Sequence, residues 1–363
     1  MSVAVVILNY NGQNYLERFL PSVEAGTHPD FAVIVADNRS TDGSLAWLAQ
    51  RGYRPYSVRA WEQGERRFYL ALEDNFGFAE GYNRALARIR RCQYYVLLNS
   101  DVEVPSGWLE PVIDLLDADP TVGACQPKIH LHARPGQFEY SGAAGGWIDI
   151  LGYPFCRGRM FETLEEDLGQ YDDPAEVFWA SGAAMFVRAE LYHALGGFDG
   201  DYFAHMEEID LCWRIKRAGY KVMVCPQSNV WHIGGGTLPK VNSHKTFLNF
   251  RNSLTSVLKN APKRWVLAMV LARLVLDGVA GARFLVRGEW GNIWAIVRAH
   301  FSFYGKLPQN LRKRILYKRL IKKHGLSRPP VFNEYGMYRG SIVWAYYAKG
   351  HKRFSELCTP ARP

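Results

Sequence analysis

Three carboxylates crowd into four positions at Glu207, Glu208 and Asp210. Like charges that close raise at least one pKa, and a raised carboxylate suits general-base work near neutral pH. The plainer reading is a solvated helix start, where acids are favoured. A second acid, Asp101, follows the apolar run YYVLLN in Asn99-Ser100-Asp101. A carboxylate just past a buried strand can hold Mg²⁺ or Mn²⁺, which commonly use few protein carboxylates plus substrate phosphates. As a simple turn residue it would need no metal. His232, ahead of the glycine-rich stretch 234–236, is the other candidate ligand, although a lone histidine is more often structural. His130 and His132 alternate on a strand pattern, and no metal is expected there.

Other polar residues also gather where apolar runs stop. The first run ends in Asn9-Tyr10-Asn11-Gly12, the second in Asp37-Asn38-Arg39-Ser40. An aspartate at a strand end can accept the ring N–H of uracil or thymine, and small polar neighbours can satisfy exocyclic oxygens. Helix capping by Ser40 or Thr41 explains the same residues without a ligand. The stretch from Asn75 through Gly77 to Asn83 puts glycine and asparagine at a loop-to-helix junction, where backbone can approach closely and a helix N-terminus favours phosphate. An ordinary capped helix reads the same way.

The elements that must carry these residues alternate. VAVVIL (3–8) and FAVIVA (31–36) read as buried strands, as do YYVLLN (94–99) and VGACQPKI (122–129). Helices are expected at 13–25, from about 40, at 79–90, 107–118 and 207–218, with a hairpin-like stretch at 54–72. Near-continuous apolar strands between helices predict an α/β doubly wound, mostly parallel sheet, with ligands beyond the strands' carboxyl ends. Residues 130–175 read as a long loop region, 221–225 as a strand, and the chain beyond Ser243 as helical and basic.

The chain of 363 residues carries a net charge of +9, which hides a split. Residues 240–363 hold 24 Lys and Arg against 4 Asp and Glu (+20), leaving 20 against 31 (−11) in residues 1–239. We therefore divide the chain into 1–240, carrying the chemistry, and 241–363, a basic helical region. Six scattered cysteines without a C-x-x-C pair fit reduced thiols rather than a disulfide framework or zinc site. Met1 leads straight into SVAVVIL, so no signal peptide is expected, and no apolar run is long enough for a simple spanning helix. Between Val266 and Arg287 the only charges are Arg273, Asp277, Arg283 and Arg287, clustered on one helix face. With seven basic residues between Arg312 and Lys323, that pattern predicts a helix lying on an anionic membrane surface. Packing against the rest of the chain, or a homodimer, is the alternative.

Taken in order, VVILNYNG, ADNRSTDGS, NFGFAEGYN, LLNSDVEV, ASGAAMFVRAE, GGFD, MEEIDLCWR and FRNSL resemble the family 2 glycosyltransferases of the GT-A fold, in particular a bacterial rhamnosyltransferase-like branch. The resemblance covers roughly residues 3–255. It implies a nucleotide-sugar pocket from Asn9, Tyr10, Asn11, Asp37, Asn38, Asn75, Gly77, Asn83, Asn99 and Ser100. Asp101 and His232 would hold Mn²⁺ or Mg²⁺; the family's Asp-x-Asp motif here begins with Asn99. Trp179, Ser181, Gly182 and Asp199 would line the acceptor side. Glu208 falls on the catalytic-base position, with Glu207 and Asp210 beside it. The implied reaction is an inverting transfer, with dTDP-rhamnose favoured as donor and a glycan or polyprenyl-diphosphate-linked acceptor. The implied location is the cytoplasmic side of the cell membrane.

Two other classes compete. A dinucleotide-dependent oxidoreductase lacks support because no G-x-G-x-x-G follows the first strand. A nucleic-acid binder using the basic tail gains nothing from the acidic front, so no nucleic acid is expected as partner. A catalytically inactive sugar-binding module would explain Asn99 and Glu208 as departures from the family pattern.

Overall fold

The computed structural model describes residues 2–89, 91–234 and 243–357. The first half follows the predicted alternation: β1 (Val3–Asn9), α1 (Gln13–Glu24), β2 (Phe31–Asp37), α2 (Ser44–Gln50), β3 (Arg54–Pro55), α3 (Val58–Glu62), β4 (Arg67–Ala71), α4 (Gly77–Arg88), β5 (Tyr94–Asn99), β6 (Val102–Glu103), α5 (Glu110–Ala118) and β7 (Val122–Leu131). β1 and β2 are buried along nearly their whole length because helices cover both sheet faces. Val3, Val5 and Ile7 join the core on one side, with Leu16, Leu20 and Val23 of α1. Ala4 and Val6 join the other, with Tyr82, Ala85 and Leu86 of α4.

Two stretches differ from expectation. Residues 54–72 form no hairpin: β3 and β4 pair in parallel, with α3 between them. Residues 130–175 are not a loop region. They supply β8 (Arg134–Phe138), β9 (Gly146–Asp149), β10 (Pro154–Cys156), β11 (Arg159–Met160), β12 (Thr163–Leu164) and the start of β13 (Ala175–Val177). Strands of two to five residues are too short to show a period of two, which is why sequence pattern missed them.

There follow β14 (Ala184–Arg188), α6 (Ala189–Ala194), α7 (Glu207–Arg217) and β15 (Lys221–His232). The main sheet runs β13-β15-β7-β14-β5-β1-β2-β4-β3, with β6 on β15 and β8 on β7. It is parallel from β3 through β5, then mixed, because β14 enters antiparallel to both β5 and β7. β15 extends seven residues past the predicted strand, and this extension carries His232 beside β6.

Four helices close the chain: α8 (Ser243–Asn260), α9 (Val266–Val286), α10 (Trp290–Gly305) and α11 (Leu307–His324). Then β16 (Met337–Tyr338) pairs with β9 in a second sheet, β12-β11-β10-β9-β16, and α12 (Ile342–Tyr347) follows. No described helix is long and apolar enough to cross a membrane. The orientation of α9 is a correction. The middle of its polar face does not meet water: Arg273 and Asp277 are buried, Arg273 over the Tyr153 ring at 3.7 Å and Asp277 accepting from Tyr153 Oη and paired with His300, while Arg283 is partly exposed and Arg287 exposed. The apolar stripe points outward instead, with Leu267, Leu271, Val275 and Val279 exposed at four-residue spacing. Trp290, Trp294 and Phe301 of α10 continue the exposed apolar surface.

Candidate active site

Parallel register sets Asn9 of β1 directly beside Asp37 of β2. Both are fully buried, and Asn9 Nδ2 donates to Asp37 Oδ2 at 3.0 Å while Ser40 N donates to Oδ1 at 2.8 Å. Asp37 thus ties two strand ends together rather than facing open cleft, contrary to the base-binding role expected from its position. Asn9 Oδ1 has no hydrogen-bond partner and lies under Gly12, where any Cβ would approach it to 2.5 Å. Tyr10 stands exposed at the rim. Asn11, left-handed at φ 51°, accepts from Thr41 N at 2.7 Å and so shapes the loop after β1.

Asn38 organises the next loop. Its amide donates to Asn75 Oδ1 and Gly77 O, and its oxygen accepts from Phe76 N. Gly77 has φ +73°, and a Cβ there would strike the Phe203 ring at 2.5 Å, so both conformation and space demand glycine. The expected phosphate site at the N-terminus of α4 is a second correction. Phe78 N and Ala79 N donate to the Phe203 carbonyl at 2.7 and 3.1 Å, so those helix-end donors already have a protein partner. Asn83 also points elsewhere, holding Phe198 N, Phe198 O and the Tyr192 hydroxyl.

β5 ends in Asn99 and Ser100 follows, both partly exposed, and then Asp101, buried. β15 brings His232 to it from 131 positions away: His232 Nε2 lies 3.1 Å from Asp101 Oδ1 and 3.3 Å from Asn99 Nδ2. Across the ring, Glu139 Oε2 lies 3.5 Å from His232 Nδ1. Burial disfavours the imidazolium, but the hydrogen bond to Asp101 and the nearby Glu139 carboxylate outweigh it and push His232 up to about 10. Asp101 and Glu139 are both held below the usual carboxylate range, where contact with His232 outweighs burial. Asp101 Oδ1 and His232 Nε2 stand close enough for both to reach one cation, once His232 gives up the proton it shares with Asp101. Among the described residues no group of three or more His, Cys, Asp or Glu side chains is arranged to hold a metal. The pair would therefore leave positions for water and phosphate oxygens, the usual habit of Mg²⁺ and Mn²⁺. Glu139 fell in the region read as loop, and nothing in its sequence context marks it. Its carboxylate faces the ring nitrogen of His232 that Asp101 leaves free. Of the glycine-rich stretch after His232, only Gly234 is among the described residues.

The acid cluster opens α7. Glu207 is 4 % exposed, and Oε2 of both Glu207 and Glu208 lacks a hydrogen-bond partner. Burial pushes Glu207 well up, helped by the charges of Glu208 and Asp210. Burial also lifts the half-buried Glu208, against backbone N–H groups that lower it, to about 7. Asp210 is different. It is fully buried between Arg214 at 2.9 Å and Lys259 at 3.0 Å, and accepts from Asn260 at 2.7 Å. A carboxylate so paired cannot take up a substrate proton, which removes Asp210 from the catalytic candidates.

Of the residues expected on the acceptor side, Gly182 lies beside Glu208, since a Cβ on it would sit 3.9 Å from the Glu208 Cβ. Ser181 is buried next to it, its N–H on Gln126 Oε1. Trp179 is buried with its indole N–H on Trp147 O, so it packs rather than lines. Asp199 is a correction. It is buried in ion pairs with Lys259 at 2.6 Å and Lys313, and those cations overcome burial and hold it far below the usual range.

The sequence profile described as Glycosyl transferase family 2 matches residues 4–169. The chain is 29% identical over 293 residues to the N-acetylglucosaminyl-diphospho-decaprenol L-rhamnosyltransferase of Mycobacterium tuberculosis, covering 74% of this chain and 90% of that one. Among solved structures, GalNAc-T7 with UDP, GalNAc and Mn²⁺ superimposes with a TM-score of 0.55 at 17% identity, over 71% of this chain and 48% of that one. S. aureus TarS 1-349 in complex with UDP-GlcNAc gives 0.50 at 15% identity, over 89% of this chain and 91% of that one. At such identities the two structures speak for the shared fold. Together with the order of the motifs along the sheet, the matches show a glycosyltransferase on a GT-A fold, whose residues 4–169 match the family 2 profile and which is similar to the mycobacterial rhamnosyltransferase.

Proposed function

We propose that the protein is an inverting rhamnosyltransferase that uses dTDP-rhamnose and a polyprenyl-diphosphate-linked glycan acceptor. The observation that carries the reading is Glu208, a carboxylate without a hydrogen-bond partner on Oε2, poised near neutral pH at the start of α7. Its carboxylate takes the acceptor hydroxyl proton as that oxygen bonds to the anomeric carbon, and the bond to the nucleoside diphosphate breaks on the opposite face. Glu207, deeper and held protonated, keeps a second negative charge away from that carboxylate. Asp101 and His232 would hold Mn²⁺ or Mg²⁺, with Asn99 and Ser100 beside them. When bound, that ion offsets negative charge on the diphosphate. Exposed Tyr10 stands on the nucleotide side, on loops that Asn9, Asn11 and Asn38 shape, and Gly182 on the acceptor side. The donor and acceptor classes rest on likeness to the mycobacterial enzyme, whose name states an L-rhamnosyl transfer to a decaprenol-diphosphate-linked sugar.

Residues 1–240 do the chemistry in this reading, and 241–363 bring it to the cytoplasmic face of the membrane. The outward apolar stripe of α9 and α10, among basic residues, supports a lipid surface as its partner. A symmetric dimer through this region would set one +20 surface against another. The test is transfer from dTDP-rhamnose, with Mn²⁺, to a short-chain prenyl-diphosphate-linked N-acetylglucosamine. Release of dTDP with a rhamnosylated product is expected; no product with this donor, but product with UDP-sugars, would reassign the donor. Replacing Leu271 and Val275 by Glu should abolish co-sedimentation with phosphatidylglycerol vesicles, and retained binding rejects the lipid surface.

A further inference from the structure

The loop that leads into Glu207 and Glu208 is strained, and the cause of its survival lies on another helix. Phe203 has φ 65° and ψ −62°, and Ala204 N donates across it to Tyr202 O at 2.8 Å, the geometry of the rare classic γ-turn. His205 and Met206 follow at φ 69° and 75°, so three of four consecutive non-glycine residues are left-handed. Conformations of this kind each cost about 1–3 kcal/mol and persist only where surroundings over-determine them.

The surroundings here are two adjacent residues of α8. Asn252 is fully buried, and its Nδ2 reaches Tyr202 O, Ala204 O and His205 O at 3.1, 2.9 and 2.8 Å. Arg251 Nη2 donates to Asp201 O and Tyr202 O, both at 3.0 Å, and its Nε donates to Asn252 Oδ1 at 2.8 Å. That last bond fixes which end of the amide faces the loop, since carbonyls only accept. The remaining carbonyl, Phe203 O, is taken by the N-terminus of α4. All five carbonyls from Asp201 to His205 therefore have donors; those of Asp201, Ala204 and His205 depend on Arg251 and Asn252, which also share Tyr202 O with Ala204 N.

We propose that Arg251 and Asn252 are positioning residues that hold the 201–206 loop in its strained path and thereby fix where the Glu208 carboxylate stands. This rests on the reading of Glu208 as base. Neither residue is assigned contact with substrate. The loop's register determines where α7 begins, and a base displaced by about 1 Å loses on the order of 100-fold in rate without losing substrate binding.

The experiment compares Asn252→Asp, Arg251→Lys and Glu208→Gln for kcat, donor KM and thermal midpoint. Asn252→Asp keeps the volume but turns a carboxylate against three carbonyls; Arg251→Lys keeps the charge but loses the fork. We expect kcat to fall about 100-fold in the first and about tenfold in the second, with donor KM within about threefold of wild type. Wild-type kcat in either folded loop variant overturns the proposal, as does a loss confined to KM. If Asn252→Asp does not fold, Arg251→Lys decides alone on the same criteria. Turnover retained in Glu208→Gln together with the kcat loss in the loop variants would reject Glu208 as base while upholding the clamp as what positions the start of α7.

Discussion

Two faces of one helix start treat buried carboxylates in opposite ways. On the side of α7 that meets α8 and α11, Asp199 and Asp210 are neutralised by Lys259, with Lys313 and Arg214 adding a second cation to each. On the other side, Glu207 and Glu208 have no cation among the described residues' ion pairs, and both are pushed up. Burial is common to all four, so it cannot be what separates them. The difference is the availability of a lysine, and it teaches that an acidic cluster becomes reactive where counter-ions are withheld, not merely where acids gather.

The comparison can be broken most forcefully at Glu208. Glu208→Gln should lower turnover about 1000-fold with donor binding retained, and should remove the acid limb of the pH–rate profile. That limb lies near 7 in the unaltered enzyme because only the deprotonated carboxylate accepts a proton, so rate rises with pH through it. On the paired side, Lys259→Met should cost about 3 kcal/mol in denaturant unfolding, because it removes one of the two cations from each of two buried carboxylates at once. The smallest effect is expected at Glu207→Gln. A carboxyl raised on folding contributes stability that is full below its unfolded pKa near 4.3 and is lost as pH climbs toward the folded value. The variant should therefore be more stable than wild type by about 1 kcal/mol at pH 8 and equal to it at pH 4, read from thermal midpoints at the two pH values.

Strand-end residues were legible because they are local. Apolar runs locate β1, β2 and β5, and whatever follows such a run sits at the carboxyl edge of the sheet. That reasoning marked Asp101 as a candidate ligand, and crowding marked Glu207 and Glu208 as candidate bases. It overreached at Asp37 and Asn83, since a residue at the right edge can still turn its side chain to a neighbouring loop. It missed Glu139 because the strands around it are too short to show a period.

The sequence by itself determined the alternating α/β order, the acidic front and basic rear, and which residues could do chemistry, because periodicity, composition and residue type are properties of nearby positions. Only the tertiary structure decided which of those residues remain available. Lys259 and Lys313 reach Asp199 across 60 and 114 positions, and Asp277 of α9 is drawn inward to Tyr153 across 124. Helical periodicity states that a polar stripe exists but not whether it faces water or protein; that sign is set by whichever distant side chains satisfy its charges.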